Sequence, residues 1–215
     1  LSLHDALPIS SIVVDNHGGA VLAVEHLVAT GRRRIAHIAG PAGNLEAEAR
    51  LAGYLQAMAQ AGLPTSVVEG AFTQSSGHAA GVELAKRELR PDAVFAGNDN
   101  MAVGAMLALQ DAGLRVPEDI AIIGFDDVPI AGLVRPALTT LRIHIAETGR
   151  SALERLVRLI NAAGEAVADT ACEIVRPELV VRPSSDPATP SHAHSNSGGR
   201  LRALADTPSL KGENS

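Results

Sequence analysis

What most constrains this chain is a hydrophobic period that switches back and forth between strand-like runs and helix-like spacing from Ser11 to Gly124. Short apolar runs at Ser11–Asp15, Arg34–Ile38, Val67–Gly70, Ala93–Ala96 and Ile120–Gly124 predict strands. Between them lie helix patterns with clear stops. Gly18–Thr30 carries Val21, Val24, Leu27 and Val28 at helical spacing and halts at Gly31. A second helix is predicted from Glu46 to Gln60 before Gly62 and Pro64, a third over Gly77–Leu89, and a fourth over Asn100–Ala112 before Gly113. Short strands joined by helices mean crossover connections and a parallel sheet buried on both faces. The expected class is therefore α/β, a parallel sheet flanked by helices. Open sheets of this kind bind ligands beyond the carboxyl ends of their strands. Function is to be sought at Asp15-Asn16, Gly40–Asn44, Ala71-Phe72, Gly97-Asn98-Asp99 and Phe125-Asp126-Asp127.

After Asp127 the pattern changes. Pro129–Pro136 reads as a loop, Leu138–Ile143 as extended chain, and Ile145–Ala163 as a long helix with Leu153, Leu156, Val157 and Ile160 on one face. Glu173–Val181 is a final strand region.

Composition narrows the function classes. The formal net charge of −6 argues against this chain gripping a phosphate backbone by itself. Aromatic residues are 2% of the chain, so the core is expected to be built from Ala, Val, Leu and Ile. A single cysteine, Cys172, permits no internal disulfide, fits a reducing compartment, and is expected to be a small core residue. No apolar run approaches the ~20 residues of a membrane-spanning helix. The expected location is the cytoplasm.

Catalytic and cofactor motifs fail one by one. There is no Gly-Lys-Ser/Thr phosphate loop, and Gly40-Pro41-Ala42-Gly43 lacks dinucleotide spacing. No Gly-x-Ser-x-Gly elbow occurs. His17, His26, His37, His78 and His144 show no metal-ligand spacing, and most are expected at the surface or as caps. Asp126-Asp127 reads as a hydrogen-bonding and capping pair before a catalytic dyad. No enzyme, metal or cofactor is expected.

The two ends differ from the middle. Leu1–Ile9, LSLHDALPI, reads as the translation of a sequencing-adapter oligonucleotide, so residues 1–10 are expected to be non-native and the domain to begin, mid-fold, at Ser11. Residues 186–215 are rich in Pro, Ser, Gly and Asn and are expected to be a disordered tail, with His192 and His194 solvated.

The strand-end stretches, taken in order, resemble the lactose-repressor (LacI/GalR-type) family of transcription regulators. They are Val13–Asn16 with Gly18-Gly19, Glu25–Leu27 leading to Gly31, Ile35–Pro41, Arg50–Tyr54, Ala93–Ala105, Gly113–Asp119, Ile123–Asp127, Pro136–Thr140 and Pro177–Arg182. Each is weak singly; together, in the family's order, they cover Ser11–Ser185. The resemblance implies a type I periplasmic-binding-protein-like fold of two α/β subdomains joined by three crossings. The first crossing falls near Asp15-Asn16 and the second near Leu141-Arg142. One subdomain would then be nearly complete over residues 16–141, and the other mostly missing apart from the helix Ile145–Ala163.

The same resemblance suggests roles. Arg50 matches an arginine at the start of a cleft helix, and its five fixed donors suit two neighbouring hydroxyls; its competing role is an i to i+4 pair with Glu46. Asp126 matches a ligand-accepting aspartate, its competing role a helix or turn cap, and Phe72 matches an aromatic face under a ligand ring, its competing role core packing. Asn98 is expected to touch ligand and Asp99 partly to cap the following helix. Asp15, at the crossing, completes the effector-binding set, its competing role being to hold backbone amides. Asn44 and Glu46 depart from purine-type members, and Ile143 departs from the lactose type. The implied function is the effector domain of a sugar-responsive repressor, working as a homodimer. It would meet operator DNA only through a helix-turn-helix expected upstream of Ser11. The alternative is a periplasmic sugar-binding protein of an ABC transporter.

Overall fold

The computed structural model describes residues 11–161 and 172–186; the adapter-like start, Ala162-Ala163 and the expected tail beyond Asp186 lie outside them. The chain opens with β1 (Ser11–Val14) and α1 (Asn16–Ala29). Next come β2 (Ile35–Ile38), α2 (Leu45–Gln60), β3 (Val67–Val68), α3 (Gln74–Lys86), β4 (Ala93–Ala96), α4 (Asp99–Asp111) and β5 (Ala121–Ile123). The last part holds α5 (Ile130–Leu133), β6 (Thr140–Arg142), α6 (Ile145–Asn161), β7 (Cys172–Val175) and β8 (Glu178–Val180).

The body is a four-stranded parallel sheet in the order β3-β2-β4-β5. Its residues sort by the two-residue pleat. Ala36, Ile38, Val94, Ala96 and Ile122 pack with Leu84, Met101, Met106 and Leu109 of α3 and α4. Their alternates Ile35, Ala93, Phe95, Ala121 and Ile123 pack with Val24, Leu27, Tyr54 and Met58 of α1 and α2. A sheet sandwiched in this way leaves only its strand ends for function. β1 lies outside it, paired in parallel with β7, while β6 pairs antiparallel with β8.

Several expectations shift. α1 and α3 begin earlier than the apolar pattern shows, because Asp15 and Thr73 cap them by accepting from Gly18 N and Ser76 N. Polar first turns carry no hydrophobic period, so only the caps mark them. α3 also stops at Lys86, before the predicted Leu89, where Arg87 turns extended. The expected single strand Glu173–Val181 is two, broken at Arg176-Pro177, where proline has no amide to donate. Tyr54, Phe95 and Phe125 are fully buried, which corrects the purely aliphatic core. Cys172 is exposed, not a core residue. The apolar side chains Leu153, Leu156, Val157 and Ile160 of α6 are exposed. Among the described residues no helix is long and apolar enough to cross a membrane.

α3 and α4 approach backbone to backbone. A Cβ at Gly104 would collide with the carbonyl of Gln74, and one at Gly77 with the carbonyl of Met101. Only glycine fits at either place.

His37 departs furthest from expectation. It is completely buried in β2, stacked between Tyr54 and Phe95 at centroid distances of 5.1 and 4.8 Å. Nδ1 lies 2.9 Å from the Phe95 carbonyl oxygen, but Nε2 has no partner among the described residues. Burial lowers its pKa from 6.5 to about 4, so it stays neutral in the fold. A base depressed this way contributes stability that is present above pH 6.5 and lost as pH falls through about 4. For His37→Leu, lost stacking of ~0.5–1.5 kcal/mol and a lost hydrogen bond to the Phe95 carbonyl worth ~0.5–1.5 kcal/mol oppose relief of an unpaired nitrogen worth ~1–3 kcal/mol. The variant is expected to match the parent near pH 7.5 and to exceed it increasingly at pH 5, read from urea midpoints. A constant difference across that range would show that His37 does not titrate as described.

Candidate functional site

The segments after β1, β3, β4 and β5 converge on one guanidinium. Arg50, in α2, is only 4% exposed. Its Nε donates to Asn16 Oδ1 at 2.8 Å and Nη1 donates to the Gly97 carbonyl, while Nη2 lies 3.5 Å from Asp126 Oδ1. The Phe125 ring centroid lies 3.9 Å from Cζ, and the Phe72 ring 5.8 Å. No Glu46–Arg50 ion pair forms. The guanidinium has turned inward, and Glu46 acts on it only through its field. A guanidinium has five donors. The contacts named leave N–H groups for outside acceptors.

Asp126 is the complementary half. Its side chain is 26% exposed, so its free oxygen edge can accept from a hydroxyl. Burial pushes its pKa up to about 6, against the pull of Arg50. A donor fork beside an acceptor, flanked by the flat face of Phe72, is chemistry for vicinal hydroxyls on a ring.

The other expected residues divide. Asn98 is the cap of α4, its Oδ1 accepting from Met101 N at 3.0 Å while Nδ2 donates to the Phe72 carbonyl at 3.1 Å. The capping expected of Asp99 therefore falls to Asn98. Asp99 is wholly buried behind the site, accepting from Thr140 Oγ1 at 2.5 Å and Val128 N at 2.9 Å. Desolvation pushes its pKa up to about 7. Asp15 caps α1 through Gly18 N at 2.7 Å, and its neighbour Asn16 is the one that reaches Arg50. Sequence reasoning missed Asn16 and Phe125 as contacts, although both lie in strand-end segments.

Backbone strain gathers at the same place. Phe72, Asp126 and Asp127 have φ of 59°, 110° and 56°, and each follows a sheet strand at its carboxyl end. Such conformations cost ~1–3 kcal/mol each and persist where surrounding contacts over-determine them.

One pairing looks catalytic at first sight. His26 Nε2 lies 2.9 Å from Ser185 Oγ. Ser185 is completely buried and its hydroxyl is shared with Thr139 Oγ1 at 2.7 Å, so the pair anchors the chain after β8 and meets no substrate. Among the described residues no cluster of three His, Cys, Asp or Glu is placed to hold a metal ion.

The family described as a periplasmic binding protein-like domain matches residues 24–185. The chain is similar to the HTH-type transcriptional repressor PurR of Haemophilus influenzae, 38% identical over 80% of this chain and 53% of that protein. It is also similar to the ribose operon repressor of Escherichia coli, 43% identical over 71% of this chain and 47% of that protein. The chain thus spans about half the length of the curated relatives it matches. A solved regulatory protein of the LacI family from Chloroflexus aggregans superposes with a TM-score of 0.77 and 36% identity, covering 84% of this chain and 65% of that one.

Proposed function

We propose, from the premise that this chain belongs to the LacI family of regulators through its periplasmic-binding-protein-like domain, that its strand-end cleft senses an uncharged sugar and alters the operator affinity of the full-length protein. The observation that carries this reading is Arg50 held beside Asp126 and Phe72, a donor, an acceptor and a ring face at one point.

An uncharged effector is favoured by how the anion-binding devices are occupied. The N-termini of α1, α2, α3 and α4 are capped by their own side chains, Asp15, Asn44, Thr73 and Asn98. Arg50 already has a carboxylate. A phosphate ester would meet Asp126 and Glu46 with no spare cation among the described residues of the site, whereas hydroxyls meet both donors and acceptors.

DNA contact is assigned to another part of a longer protein, because a chain of net charge −6 offers little to a phosphate backbone. Homodimerisation belongs to the same reading, since two-fold operators match two-fold proteins. The transporter alternative has less support, because the relatives matched are repressors.

The test uses the full-length protein and its own promoter DNA. D-ribose, D-glucose, cellobiose, ribose 5-phosphate and guanine are titrated in turn while operator affinity is followed by fluorescence anisotropy. A neutral saccharide is expected to change that affinity tenfold or more. A response confined to the phosphate ester or to guanine would overturn the reading.

A further inference from the structure

Asp126 and Asp127 are adjacent, yet they face different partners. Asp126 turns to Arg50, while Asp127 is only 9% exposed and lies between two other arginines. Its Oδ2 accepts from Arg142 Nε at 2.6 Å and its Oδ1 pairs with Arg182 Nη2 at 2.6 Å. Burial works to raise the Asp127 pKa, and the two arginines hold it below the ordinary aspartate value.

The positions of those arginines matter. Arg142 ends β6, from which the chain passes into α6, and it sits opposite Glu178 of β8. Arg182 follows β8, which brings the chain back from β7, and donates to the Leu138 carbonyl at 2.8 Å. One carboxylate thus ties together the outgoing and returning segments at the margin of the four-stranded sheet. The backbone beside it is held as well, by Asp126 N to the Leu141 carbonyl at 2.8 Å and Asp127 N to Thr140 Oγ1 at 3.3 Å. Two consecutive residues in left-handed conformations need such bracing, because an L side chain there is strained.

We propose that Asp127 is a positioning residue for the cleft: by clamping Arg142 and Arg182 it holds the strained loop in the one conformation that presents Asp126 to Arg50. The assignment rests on reading Arg50 and Asp126 as the effector-binding pair. It makes the geometry of that pair depend on where the two connecting segments lie. A movement of either segment is felt at Asp126 through a chain of short contacts.

The test follows the Asp126 carboxyl by carbon-13 NMR in the full-length protein, comparing the parent with Asp127→Asn and Arg142→Gln. Asparagine keeps the size and tolerates positive φ, but it loses the charge that holds two guanidinium groups. Arg142 is 40% exposed, so its replacement leaves the core untouched and serves if the Asn variant does not fold. In the parent, Asp126 titrates near its raised value of about 6. In either variant its midpoint is expected to fall by a unit or more as the carboxyl swings into water. Arg142→Lys, which keeps the charge, should restore part of the shift, and Asp127→Asn with Arg142→Gln should shift no further than Asp127→Asn alone. A lowered melting temperature with the Asp126 midpoint unmoved would overturn the proposal and leave Asp127 a structural ion pair. Titration of the parent with D-ribose, D-glucose and cellobiose judges the site separately. A moved midpoint in a protein whose operator affinity answers only ribose 5-phosphate or guanine would keep the clamp and reject the effector reading.

Discussion

Arg50→Ala is expected to weaken saccharide binding to the full-length protein by about 30- to 1000-fold, from ~2–4 kcal/mol for hydrogen bonds to a buried charged group. The deletion removes more than a ligand contact. Asn16 Oδ1 and the Gly97 carbonyl lose their donor, and Asp126 loses its cation. Breaking one side of a largely buried pair leaves an uncompensated charge. The Asp126 carboxyl, already raised to about 6, is then expected to rise further, since the group that opposes desolvation is gone. Arg50→Lys should fall between parent and alanine, because one ammonium cannot reproduce a planar fork spread over three partners. Calorimetric titration measures the affinity and urea unfolding the stability. Unchanged affinity in a folded Arg50→Ala protein would make the arginine a structural strut and remove the centre of the proposed site.

Gly104→Val is expected to destabilise the domain by about 3 kcal/mol or more, a large share of the ~5–15 kcal/mol that a domain has to lose. At Gly104 the obstruction is the main chain of Gln74 and His78, which has no rotamer into which to retreat. α3 and α4 would have to separate. Met101, Met106 and Leu109 would then leave their contact with the sheet. Gly132→Ala makes the control, since among the described residues nothing lies within 4 Å of its added carbon. A large drop in urea midpoint for Gly104→Val with little change for Gly132→Ala is the expected pair of results. Equal midpoints for the two would mean that the helices do not touch through their backbones.

The sequence was most legible where a choice is local. Apolar period distinguishes strand from helix, and glycine after a helix marks its end, so the alternating order and the strand-end segments were all readable. The expectation that ligand chemistry clusters after the strands needed only handedness and connectivity. Arg50, Phe72, Asn98 and Asp126 meet within hydrogen-bonding or ring-contact range of one another or of a shared neighbour.

Partner choice was not legible, because it depends on residues distant in the chain. Nothing near Arg50 announces that it prefers Asn16 and Asp126 to Glu46; that follows from α1 and α2 packing closely enough to bury it. His37 has the neighbours of any strand residue, and only the closing of Tyr54 and Phe95 over it makes it a buried neutral ring. Cys172 reads as a small apolar residue, yet β7 pairs with β1 away from the main sheet and leaves it exposed. Asp127 looks like a second copy of Asp126. Its separate task appears only when β6 and the segment after β8 bring Arg142 and Arg182 to its two oxygens. The sequence by itself determined an α/β chain and the segments that follow its strands, because backbone period and turn residues act over a few positions. The tertiary structure alone decided which charges are buried, paired or strained, because desolvation and ion pairing are set by whatever the fold places within a few ångströms.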